Sequence, residues 1–131
     1  MEVAVEKLAV ICFFLFGVSH IVQPRAWAEF FVRLREKGTA GSFINGWIHF
    51  PLGALIVAFH NVWHGIPAIL TVLGYAWVIK GFSYFVLPRH GLKVMQRVRV
   101  ERAWYFVVGG IVIVALGGLF LHSLASRGEL P

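Results

Sequence analysis

The run Ala103–His122, AWYFVVGGIVIVALGGLFLH, holds no Asp, Glu, Lys or Arg. At about 1.5 Å per residue it reaches about 30 Å, the thickness of a bilayer's hydrocarbon layer. Apolar residues follow one another here without alternation. Lipid offers no partner for an unpaired backbone N–H or C=O, so the run reads as a membrane-spanning helix. Working outward, three further runs of the same kind cover about residues 3–22, 42–59 and 66–87, with the last run at about 103–122. They predict one all-α domain over residues 1–131, an integral membrane bundle of four transmembrane helices. The first run does not read as a cleaved signal, because Glu2 and Glu6 precede Lys7 and it closes on Gln23-Pro24 rather than on small residues.

Composition agrees. The chain is 59% hydrophobic and 14% charged, with a mean hydropathy of +0.78, against about 45–50% and 25% for soluble domains. A chain this short cannot bury so much apolar surface in one aqueous core. A disordered chain is excluded on the same ground, and a disulfide scaffold because Cys12 is the only cysteine. Cys12 itself reads as packing. The formal net charge of +6 reads as a topology signal. Arg25, Arg33, Arg35 and Lys37 lie between spans one and two, and Arg89, Lys93, Arg97, Arg99 and Arg102 between spans three and four. The other side has only Lys7 and Arg127, with no basic residue between His60 and Gly65 apart from histidine. The positive-inside rule then puts both termini outside and both basic loops in the cytoplasm, as expected of a bacterial or archaeal cytoplasmic membrane. Those basic residues have the lipid bilayer as partner, so nucleic acid is not needed to explain them.

Within the first basic loop, Trp27, Phe30, Phe31 and Leu34 recur at helical spacing, while Arg25, Glu29 and Arg33 fall on another face. Pro24 suits the first turn of a helix and Gly38 its end. A cytoplasmic-side interfacial amphipathic helix is predicted between helices one and two, an anchor or a gate over a cytoplasmic opening.

Polar residues inside the spans carry the functional information. Asn45, His49, Gly53, His60 and His64 keep near one stripe of the second span, and Trp77, Lys80, Gly81 and Tyr84 share a face of the third. His49 and Lys80 both lie about seven residues, or ~10 Å, from the basic side, where Ser19 and His20 close the first span. Intramembrane ionisable residues usually face the bundle interior and mark function. The candidate ligand-binding or proton-relay site is therefore His49, Lys80, Asn45, His20, Tyr84, Ser19 and Trp77. The competing readings are a snorkelling Lys80 and a neutral core His49 that helps helices associate. Asp is absent and the spans beyond the N-terminal flank lack Glu, which argues against a carboxylate-based cation pump.

At the opposite end His60 and His64 form an H-x3-H pair, and His122 ends the fourth span. These three are the candidate ligands for a divalent metal, against loop histidines without one. A haem held by His20 and His49 takes its ligands from two helices, at depths differing by about 6 Å. In the fourth span Gly110 and Gly117 share a face that allows close helix packing, within the chain or between protomers. Trp104, Tyr105 and Trp63 sit where aromatic belts are expected.

Gly17-Val18-Ser19-His20-Ile21-Val22-Gln23-Pro24 resembles the G-x-x-H-x-x-x-P ending of the first helix in DoxX-like membrane proteins. Gly46-Trp47-Ile48-His49-Phe50-Pro51-Leu52-Gly53 resembles that family's G-x-x-E-x-x-x-G pattern, with His49 in the place of the glutamate. The resemblance covers the first two spans. It implies a compact four-helix inner-membrane protein, in a family that includes a small subunit associated with quinone-linked sulfur oxidation.

Three kinds of function stay open: a bundle that binds or transports a small anion or relays protons, a non-catalytic subunit of a larger membrane complex such as a respiratory, quinone-linked one, and a histidine-ligated haem or metal protein. A homo-oligomer through the fourth helix fits the first. No nucleophile triad, phosphate loop or H-E-x-x-H pattern occurs, which argues against a self-contained hydrolase or kinase.

Overall fold

The computed structural model describes residues 1–130; Pro131, the last residue of the expected domain, lies outside them. Helices follow in the order α1 (Glu2–Val22), α2 (Pro24–Glu36), α3 (Thr39–Phe59), α4 (Pro67–Val86), α5 (Pro88–Met95) and α6 (Trp104–Ser126), with a 3-10 turn at Val100–Arg102, and no strand occurs among the described residues. Four of them, α1, α3, α4 and α6, are long and apolar enough to cross a membrane. This is the architecture of an integral membrane protein, an all-helical bundle of four candidate spans.

Proline sets the punctuation. Pro24, Pro67 and Pro88 each occupy the first turn of a helix, where the missing N–H has no intrahelical partner to lose. Gln23 and Leu87, the residues before two of these prolines, leave helical geometry at φ −125° and −122°, as steric contact with the proline ring requires. Gly38 turns the chain from α2 into α3 at φ 60°, a conformation in which a β-carbon is strained. Pro51 lies inside α3, a placement that spanning helices tolerate when neighbours re-satisfy the freed carbonyl.

Element boundaries depart from expectation in three places. α3 begins at Thr39, directly after the Gly38 turn, so His49 lies ten residues inside it rather than seven. α6 continues to Ser126 because Ser123 and Leu124 are buried against the bundle. The second basic loop contains α5, whose Gly91 and Met95 are buried one helical turn apart.

The spans pack as two close antiparallel pairs, α1 with α6 and α3 with α4. A β-carbon on Gly110 would sit 2.6 Å from the Gly17 carbonyl oxygen, and one on Gly53 would sit 2.7 Å from the Val78 nitrogen. Only hydrogen fits at these crossings. Gly117 also faces α1, with a β-carbon there falling 3.3 Å from that of Phe13. The Gly110 and Gly117 face is thus used within the chain and is not free to join protomers.

Across the pairs, Val5, Ala9, Phe13, Ile56, Leu70, Phe120 and Leu124 form the main core. Phe13 stands at its centre, 6.2 Å from the Trp77 ring and 5.9 Å from that of Phe120. A second, smaller cluster of Leu34, Tyr84 and Met95 joins α2, α4 and α5. There Arg35 of α2 donates to the carbonyl oxygens of Met95 at 3.3 Å and Val98 at 3.1 Å. Both basic segments therefore meet at one end of the bundle.

Candidate functional site

The α3 and α4 register is readable from their glycines. Gly81 lies against Phe50, Gly46 against the Phe85 ring, and Gly53 against Val78. Positions whose numbers add to about 131 thus face each other, which brings His49 and Lys80 to nearly the same level on neighbouring helices. His49 Nδ1–H donates to the Asn45 carbonyl oxygen at 2.9 Å, which fixes its tautomer and leaves Nε2 as the ring's other polar atom. The His49 and Tyr84 rings lie 6.2 Å apart at 28°. Asn45 is 2% exposed, yet its side-chain oxygen has no hydrogen-bond partner. Tyr84 is held in place by Ser42, which donates to the Tyr84 carbonyl at 2.8 Å. Asn45, His49 and Tyr84 therefore form one group, and Lys80 stands at the same level with its side chain exposed.

Other expected members stand elsewhere. Trp77 shares the Lys80 stripe but packs against Phe13, beside the apolar core. Ser19 and His20 seat α2: the Trp27 indole N–H donates to Ser19 Oγ at 2.9 Å, and the His20 ring stacks on Trp27 at 4.3 Å. Phe106 of α6 lies 5.6 Å from His20, and His20 Nδ1–H donates to the Phe16 carbonyl at 2.6 Å. His20 and His49 thus make their contacts in different helix pairs. Part of the aromatic face of α2 is likewise turned to the bundle, with Leu34 buried and Phe31 packed beside it, while Phe30 is exposed.

The opposite end corrects the metal expectation. α3 stops at Phe59, so His60 and His64 do not share a helical face. His60 turns inward and is fully buried, while His64 and His122 are exposed. No group of three His, Cys, Asp or Glu side chains is placed to hold a metal among the described residues. His60 instead meets Glu6, the carboxylate expected on a terminal flank; α1 begins at Glu2, and Glu6 is 1% exposed. The expectation that the spans lack a carboxylate fails here. Glu6 sits four residues before Val10 and seven before Phe13, on the buried face of α1, a helical stripe that was the available signal.

The hydrogen bonds around His60 constrain its protons. Thr71 Oγ1 donates to the Val62 carbonyl at 2.7 Å and accepts from the Val62 N–H at 3.2 Å. With its one hydrogen committed, Thr71 accepts from His60 Nδ1–H at 3.1 Å. His60 Nε2 then faces Glu6 Oε1 at 3.5 Å. That nitrogen is buried and has no partner within hydrogen-bond geometry. Arg127, at the end of α6, pairs with the other Glu6 oxygen. Side chains from α1, α4, the end of α3 and the end of α6 close one network.

Between the two polar groups lies the Phe13 core. The void beside it, lined in part by Cys12, Leu52, Ile56 and Trp77, measures about 10 Å³, at the lower limit for one water. Comparison with family models, curated proteins and solved structures finds no match.

Proposed function

We propose that this is a membrane protein that binds a small anion at His49 and Lys80, with Asn45 and Tyr84 beside them. One observation carries the proposal: two basic side chains come to the same level within the spanning helices, with no Asp or Glu elsewhere in α3 or α4. A positive charge at that depth is costly unless it is paired, and an anion is the missing partner. The unpartnered Asn45 oxygen accepts rather than donates, which favours an oxyanion that still carries a hydroxyl. Transport across the bilayer requires the Phe13 layer to open, so binding is the primary activity. The same group includes His49 of the DoxX-like second motif, while His20 of the first seats α2.

In this reading the basic end faces the cytoplasm of a bacterial or archaeal cell and both termini face outward. α2 lies at the membrane interface there, Phe30 entering the acyl boundary and Arg25 and Arg33 remaining in the headgroups.

The test is calorimetric titration of the detergent-purified chain with bicarbonate, phosphate, nitrate and chloride. We expect saturable binding of a protonated oxyanion and at least a tenfold loss of affinity in both His49→Ala and Lys80→Ala. The proposal is wrong if none of the anions binds, or if both variants bind as the parent does.

A further inference from the structure

The connection from α5 to α6 builds a second polar site, separate from the intramembrane group. A cleft of about 960 Å³ opens there, lined by Lys93, Arg97, Arg99, Arg102, His90 and Tyr105 among others. It has four permanent cations and no carboxylate in its lining; Glu101, on the adjoining turn, does not line it. Like charges gathered around a concavity repel one another, so an anion held among them is stabilised. The volume falls within the range of small-molecule sites, about 300–1,000 Å³.

The cleft is also held in shape. The Arg35 guanidinium reaches from α2 to the carbonyls of Met95 and Val98. Backbone bonds from Arg97 N–H to Val94 and from Val98 N–H to Met95 close the turn on itself. Arginine presents its donors as a planar fork that matches phosphate oxygens, and three arginines converge here.

Its surroundings select the source of that phosphate. The cleft lies at the start of a spanning helix, where Trp104 and Tyr105 stack at 4.0 Å and are both exposed, as aromatic side chains at the headgroup level are. Over the next two turns of α6, Val108, Ile111 and Val112 are exposed and apolar. Val94, Val98 and Phe106 supply apolar wall within the cleft itself. A polar, anionic head and an apolar tail running along α6 satisfy both halves.

We propose that this cleft binds the phosphate headgroup of an anionic phospholipid, with its acyl chains lying on α6. Basic pockets at the membrane surface between spanning helices are suited to such headgroups. Because the cleft is distinct from His49 and Lys80, lipid binding here survives the loss of the intramembrane site.

The experiment is native mass spectrometry of the full chain in a neutral detergent, titrated with phosphatidic acid, phosphatidylcholine and inorganic phosphate. Phosphatidic acid is expected to bind at least tenfold more tightly than phosphatidylcholine and at least tenfold more tightly than inorganic phosphate. The Arg99→Gln/Arg102→Gln double variant abolishes the preference, whereas Arg33→Gln, which removes the same kind of charge at the same end but outside the cleft, retains it. All three positions are exposed, and the single variants Arg99→Gln and Arg102→Gln give the same readout if the double variant is unstable. Equal loss in Arg33→Gln means a diffuse charge effect and overturns the site. Inorganic phosphate binding as tightly as phosphatidic acid overturns the lipid assignment, and equal binding of the two lipids overturns both.

Discussion

Replacing Glu6 tests whether its buried network holds the four spans together. Glu6 and His60 are 1% and 0% exposed in their side chains, whereas Arg127 is 37% exposed. Removing one partner of a buried pair costs about 3–5 kcal/mol, because the other is left desolvated and unpaired. Arg127 can turn its guanidinium to water, so His60 alone stays stranded and the lower end of that range applies to Glu6→Ala, about 3 kcal/mol. Glu6→Gln behaves differently. Its amide N–H can donate to the lone pair of a neutral His60 Nε2 while its oxygen accepts from Arg127, so both contacts persist and the cost is about 1 kcal/mol, that of exchanging a charged for a neutral hydrogen bond. Equilibrium unfolding of the purified protein in mixed micelles with increasing sodium dodecyl sulfate, followed by helicity, measures both. A double-mutant cycle with His60→Ala isolates the pair, with a coupling of about 1–3 kcal/mol expected. The reasoning is refuted if Glu6→Ala costs less than about 1 kcal/mol, if Glu6→Gln costs as much as Glu6→Ala, or if the cycle shows no coupling.

Other outcomes follow from packing and orientation. Gly110→Ala forces a β-carbon against the Gly17 carbonyl oxygen and costs about 1–3 kcal/mol, while Gly118→Ala, with nothing within 4 Å of the new carbon, is neutral or stabilising by up to about 1 kcal/mol; the same unfolding assay compares them, and equal effects at the two sites contradict the α1–α6 crossing. In a Cys12→Ser background, Ser126→Cys in intact cells is labelled by a membrane-impermeant maleimide and Lys37→Cys only after lysis; the reverse pattern inverts the proposed orientation.

How much of this was legible in the sequence varies by residue. Pro24 and Gly38 announced α2 because each acts through its own backbone, and α2 indeed runs Pro24–Glu36. α5 is not legible in the sequence, since an eight-residue helix carries too few apolar positions to show a period. The level shared by His49 and Lys80 follows from counting inward along spans; the earlier start of α3 at Thr39 increases the counted depth of His49, and the glycine register of α3 against α4 keeps the two level. Ser19 and His20 could not be told apart from site residues, because their use in seating Trp27 depends on where α2 folds back. Glu6 reads as part of a flank because a carboxylate near a chain terminus is normally solvated; its partners His60 and Arg127 reach it from far along the chain.

The sequence by itself determined that there are four apolar spans and that the basic loops share one end, since hydrogen-bond satisfaction in lipid and the placement of charge are properties of local composition. Only the tertiary structure decided which way each helix is turned. That rotation depends on interhelical contact, Gly17 against Gly110 and Gly53 against Val78, and on the partners a buried polar group finds. It took His60 from a presumed metal ligand to a partner of Glu6, and it closed the glycine face of α6 against α1.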